Sequence, residues 1–78
     1  MKIMADRQFL ESLLESDLKV TLSDGRIFEG KLASFDRDLN LILQHSTEKR
    51  PGKEEVLKVG MVMVPGEHLA KAELREVV

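Results

Sequence analysis

The sequence predicts a mostly β domain, an N-terminal α-helix followed by a strongly bent, five-stranded antiparallel sheet that curls into an open barrel. Three observations predict it. From Leu18 onward the hydrophobic pattern changes from a helical stripe to alternation. Turn signals at Asp24-Gly25, Asp36 to Asn40, Pro51-Gly52 and Pro65-Gly66 then cut the rest into short runs. Lastly, Gly30 interrupts the second of these runs, and a glycine inside a strand marks a bend or a close backbone approach.

The helix is expected over about residues 6–15. Phe9, Leu10, Leu13 and Leu14 form one stripe against Arg7, Glu11, Ser12 and Glu15, with Asp6 placed to cap the first turn. Such a stripe covers one open end of a sheet. The first strand, 18–22, alternates Leu18, Val20 and Leu22 with Lys19, Thr21 and Ser23. Asp24-Gly25 is the strongest hairpin signal in the chain. The second strand, 26–35, sets Phe28, Gly30, Leu32 and Ser34 on one face. The third, 40–48, begins with Leu41-Ile42-Leu43, too continuous for a sheet with one wet face. A polar loop containing Pro51-Gly52 leads to the fourth strand, 55–64, whose apolar residues occupy both faces. Pro65-Gly66 turns the chain into a fifth strand at 69–74. Short connections favour antiparallel pairing of neighbours.

At 78 residues the chain makes a single small domain, 1–78, whose limited core leaves room for a partner to share burial. A 42% hydrophobic and 33% charged composition is that of a folded protein. The net charge of −2 argues against a module that lives on phosphate contacts. Met1 to Asp6 holds no continuous apolar run and no stretch approaches membrane length, so a soluble cytosolic or nuclear protein is expected.

Catalytic chemistry finds little support. The absence of cysteine removes disulfides, thiolate ligands and thiol nucleophiles. His45 and His68 lack metal-ligand spacing, the serines lie in no nucleophile motif, and the glycines are scattered singly. Asp36 and Asp38 sit in a strand-to-strand turn, where carboxylates ordinarily bond the backbone. No catalytic, metal or cofactor-binding residue is therefore assigned.

The run Asp24-Gly25-Arg26-x-Phe28-x-Gly30-x-Leu32-x-x-Phe35-Asp36-x-x-Leu39-Asn40-Leu41-Ile42-Leu43 resembles the first signature of the Sm and Sm-like (LSm) proteins, and Val59 to Leu69 resembles the second. The family fold is a helix followed by a bent five-stranded sheet. Most members form rings by pairing the fourth strand of one subunit with the fifth of the next, and bind single-stranded RNA at the pore. The family's base pocket would fall on Asp36, Asp38, Asn40, Pro65 and Gly66. Asp36, Asn40 and Gly66 keep the pattern. Asp38 stands where RNA-binding members place a stacking side chain, worth ~1–3 kcal/mol per base, and Pro65 stands where they place a cation. The pocket therefore reads as vestigial and RNA binding is disfavoured.

The acidic turn, together with Met61-Val62-Met63-Val64-Pro65-Gly66-x-His68, resembles the branch of this family that serves as the small auxiliary subunit of N-terminal acetyltransferase C (NatC) complexes. That resemblance implies a non-catalytic, cytoplasmic scaffold. Its partners would be the large auxiliary subunit and the catalytic GNAT-type subunit, which acetylates nascent chains beginning with Met and an apolar residue. The alternatives are an RNA-binding ring subunit in RNA processing or decay and a self-assembling scaffold without RNA. Partner contacts are expected at strand edges, near Leu57, Val59, Met61, Met63, Leu69 and Ala72. The two methionines either meet a partner or fill the core.

Overall fold

The computed structural model describes residues 7–75. Its order is α1 (Arg7–Ser12), β1 (Asp17–Leu22), β2 (Ile27–Phe35), β3 (Leu41–Lys49), β4 (Val56–Val64), a 3₁₀ turn (Gly66–His68) and β5 (Leu69–Leu74). One antiparallel sheet runs β4-β3-β2-β1-β5. Its two edges, β4 and β5, do not pair with each other among the described residues, so the barrel stays open.

The helix is shorter than the periodicity suggests. It stops at Ser12, and Glu15 takes a left-handed φ of 71°. There the Glu15 amide donates to the Leu32 carbonyl (2.8 Å), and the Leu32 amide donates to Ser16 (3.0 Å). These two bonds tie the end of the turn to β2, so tertiary pairing ends the helix before intrinsic propensity would. Leu10 and Leu13 are buried, whereas Leu14 falls off the stripe and is exposed. The expected cap, Asp6, lies outside the described residues.

Strand β3 reaches Lys49, one residue beyond the expectation, with Thr47, Glu48 and Lys49 opposite Glu29, Phe28 and Ile27. The bend lies where Gly30 predicted it. A Cβ on Gly30 would stand 2.7 Å from Ser46 Cβ, so the glycine permits β2 and β3 to cross closely. Opposite it the β3–β4 register breaks. His45 (φ 54°) and Gly60 (φ 68°) take left-handed backbone, and the Ser46 hydroxyl donates to the Gly60 carbonyl.

The inner face gathers Leu10, Leu13, Leu18, Val20, Leu22, Phe28, Leu32, Leu41, Leu43, Val64 and Ala72 into one core. One row crosses all five strands: Ala72, Val20, Phe28, Glu48 and Leu57 stand opposite one another in register. The carboxylate in that row is 6% exposed and reaches Arg26 Nη1 at 3.4 Å and Arg50 Nε at 3.7 Å. Two arginines thus neutralise a charge that burial alone would penalise.

Candidate functional site

Two features at the end of β4 carry the functional question: the paired turns that follow β2 and β4, and the open edge of β4 itself.

In the first turn Asp36 acts as an acceptor hub. Its Oδ1 receives the backbone amides of Asp38 (2.9 Å) and Asn40 (3.0 Å), and its Oδ2 receives Asn40 Nδ2 (2.9 Å). Bonds from the Asn40 side chain, then from the amides of Asn40 and Asp38, hold the Asp36 carboxyl below its ordinary value. This fan of donors fixes a reversal in which Leu39 adopts φ 61°. Asn40 Oδ1 then accepts the Gly66 amide at 2.8 Å, which joins the first turn to the second. The fit is close. A Cβ on Gly66 would lie 2.2 Å from the Asp38 carbonyl oxygen and 2.6 Å from that of Leu39. Pro65 is half-buried in extended backbone, and its carbonyl accepts the His68 amide to close the 3₁₀ turn.

All the pocket positions read from the sequence, Asp36, Asp38, Asn40, Pro65 and Gly66, therefore come together. Their surface is acidic. Asp38 directs only its backbone into the network, and its carboxylate has no hydrogen bond or ion pair among the described residues. Glu67 lies beside Gly66 and reaches His68 Nε2 at 3.5 Å. Against Asp36, Asp38 and Glu67 the two turns offer Arg37 as a fixed cation. At position 38 a carboxylate offers no ring or amide face for a base to stack upon.

The strand-edge residues divide into two groups on opposite borders of the sheet. On β4, Met61 (67% exposed) and Met63 (58%) point out of the barrel with Val59, while Val62 and Val64 point in. The choice left open by alternation resolves outward for both methionines. Leu57 is half-buried in the inner row. On β5, Leu69 is half-buried against the core, and Ala72 is only 1% exposed opposite Val20. The expectation for Ala72 needs correcting: its side chain belongs to the core, and only backbone is available at that edge. The cause is a register shift in which Ala70 is the extra residue, because Leu22 faces Leu69 while Thr21 faces Lys71. Leu69 and Ala72 then share the inner face. Sequence reasoning missed Val56 and Leu74, both exposed; each is a terminal apolar residue of its edge strand, a signal that was available.

Among the described residues no group of three His, Cys, Asp or Glu side chains is arranged to hold a metal ion. No described helix is long and apolar enough to cross a membrane.

Comparison with known proteins agrees with this geometry. Residues 8–71 match the model of the LSM domain. The chain is 37% identical over 76 residues to the mouse (Mus musculus) protein named N-alpha-acetyltransferase 38, NatC auxiliary subunit, covering 88% of this chain and 59% of that one. It spans about six-tenths of the length of the Drosophila and mouse relatives of that name. Among solved structures, a chain of the NatC complex bound to CoA superposes with a TM-score of 0.76 at 26% identity, covering 97% of this chain and 91% of that one. One chain of the P. aerophilum SmAP1 heptamer superposes with a TM-score of 0.82 at 27% identity, covering 96% of this chain and 99% of that one.

Proposed function

The chain belongs to the LSM-domain family, and within that family we propose that it is a non-catalytic auxiliary subunit of a NatC-type N-terminal acetyltransferase. In this reading it acts in the cytoplasm and stabilises the large auxiliary subunit and the catalytic GNAT-type subunit, which modify nascent chains beginning with Met and an apolar residue. Contact is made through the strand edges: the outer side chains of Val59, Met61 and Met63 with Leu57 on β4, and Leu69 with the backbone at Ala72 on β5.

One observation carries the reading. The loop pair keeps its framework, Asp36 to Asn40 to Gly66, yet presents carboxylates where a phosphate-binding surface needs cations. A scaffold preserved for shape and acidic in charge suits protein contact. The similarity to NatC auxiliary subunits and to a chain of the NatC complex supports the same choice.

A second reading, an RNA-binding ring subunit, draws on the superposition with one chain of the P. aerophilum SmAP1 heptamer. Affinity purification from native lysate, with and without nuclease, separates the two. Nuclease-resistant recovery of acetyltransferase subunits is expected. Recovery of a set of Lsm proteins with RNA would overturn the proposal.

A further inference from the structure

We propose that the C-terminal half of β4 and the acidic loop pair beside it form one composite dock. Its occupant is an extended segment of a heterologous protein, with apolar side chains over Met61 and Met63 and a lysine or arginine over Asp38 and Glu67. The inference deepens the scaffold reading and rests on it.

The edge is open only in part. The Val59–Gly60 irregularity breaks the strand, with Gly60 at φ 68°, so a straight partner strand finds regular backbone from Met61 to Val64. Over this stretch Met61 and Met63 stand on the outer face, with half-buried Ile42 opposite Met63 in register. The surface is apolar and adaptable, and the strand ends in Pro65 and Gly66. The Asn40–Gly66 bond then places the Asp38 turn at that end, with Glu67 next in the chain. Apolar strand and acidic end are therefore continuous.

A second copy of this chain fits the surface poorly. The outer face of its own edge strand β5 carries Lys71 and Glu73, in register with Thr21 and Lys19, and those two side chains approach each other at 3.5 Å. Laid along β4, that face would set charged groups against Met61 and Met63. Single-stranded RNA would bring phosphates to Asp38 and Glu67. A segment of alternating apolar residues ending in a cation satisfies both halves.

The test uses the full chain with p-benzoylphenylalanine in place of Met63, co-expressed with the large auxiliary and catalytic NatC subunits. Irradiation is expected to link position 63 to a peptide of one subunit with Lys or Arg within two residues of the crosslink. Asp38→Lys combined with Glu67→Lys should reduce the crosslink about five- to tenfold, as loss of paired rim charges predicts. Exchanging the mapped partner cation for Glu should restore it. Both acids lie on the surface, and a thermal melt confirms that the variant is folded. A crosslink to a second copy, a nuclease-sensitive crosslink to RNA, or a yield indifferent to the charge reversal would each overturn the dock. If the subunits co-purify but no crosslink forms, the dock alone fails. If neither subunit co-purifies, the proposed function fails and the dock falls with it.

Discussion

Asn40 joins two turns that lie twenty-six residues apart: its Oδ1 accepts the Gly66 amide at 2.8 Å while its Nδ2 donates to Asp36 Oδ2 at 2.9 Å. One amide group thus supplies an acceptor to one turn and a donor to the other, a pairing that an ionised carboxylate, which only accepts, cannot reproduce. Asn40→Ala should lower stability by about 1–2 kcal/mol, since it leaves the half-buried Gly66 amide unsatisfied. Urea unfolding measures this directly. A double-mutant cycle with Asp36→Ala should show non-additivity, because both substitutions remove the same Asp36–Asn40 bond.

Asp36 predicts a pH dependence. Its carboxyl is held below the ordinary value of 3.8, first by the Asn40 side chain and then by the amides of Asn40 and Asp38. Below that ordinary value the unfolded chain takes up a proton that the folded turn resists, so stability falls as acid is added. The contribution is fully present above the unfolded pKa and is lost as pH falls through the folded one. Asp36→Asn should flatten the slope of stability against pH between about pH 2 and 5. A residual slope from Asp24 should remain, since the Arg26 amide and guanidinium lower that carboxyl too. An unchanged slope in Asp36→Asn would show that the turn opens before Asp36 titrates.

Gly66 and Gly52 separate steric need from conformational need. A Cβ at Gly66 would meet the Asp38 carbonyl at 2.2 Å, and backbone cannot yield as a side chain can. Gly52 has open space around it and a φ of 75°. Gly52→Ala should therefore cost about 1 kcal/mol for the left-handed backbone alone. Gly66→Ala should cost about 2–3 kcal/mol and disturb the Asp36–Asn40 turn as well. Thermal melts rank the two. Amide shifts at Asp38 and Asn40 then report whether the cross-loop contact has opened.

Glu48 is the buried charge with the most to lose. It lies between Phe28 and Leu57 in the inner row, with Arg26 and Arg50 reaching it from the rim. Glu48→Ala should destabilise by about 2–3 kcal/mol, because it leaves a cavity and removes the arginines' counter-charge. Glu48→Met fills the same volume with an apolar chain beside apolar neighbours. It should cost about 1 kcal/mol, less than the alanine, because it leaves no cavity and the two arginines it unpairs are 40% and 59% exposed to water. Equal losses in the two variants would mean that the ion pair itself, and not the packing, holds the β1–β2 and β3–β4 turns together.

What was legible from the sequence were the features that residues impose locally. Asp24-Gly25, Gly30 and Pro65-Gly66 demand particular backbone conformations, and the strands lie between them within a residue or so of expectation. The loop positions Asp36, Asn40 and Gly66 were legible for the same reason: short-range hydrogen-bonding residues mark their own turn. What depended on partners far along the chain was not. The helix ends early because Glu15 bonds to Leu32 on β2, a residue seventeen positions away. Ala72 faces inward because a register shift against Leu22 adds one residue and reverses the parity of β5. Alternation alone cannot reveal an extra residue that only the neighbouring strand defines.

Met61 and Ala72, paired as expected contact residues, should now respond in opposite ways to the same substitution. Met61 is 67% exposed on the outer face of an edge strand, so Met61→Glu buries no charge and should leave the melting temperature nearly unchanged. It places a carboxylate where the proposed partner brings apolar surface, and co-purification of the large auxiliary subunit should fall by about tenfold or more. Ala72 packs against Val20 with its side chain 1% exposed. Ala72→Glu forces a charge into the core and should unfold the domain, since an unpaired buried carboxylate costs several kcal/mol in a protein of marginal stability. Circular dichroism run beside each pull-down keeps the cases apart. Retained binding by a folded Met61→Glu chain would remove that position from the contact surface and shift the partner toward the β5 edge.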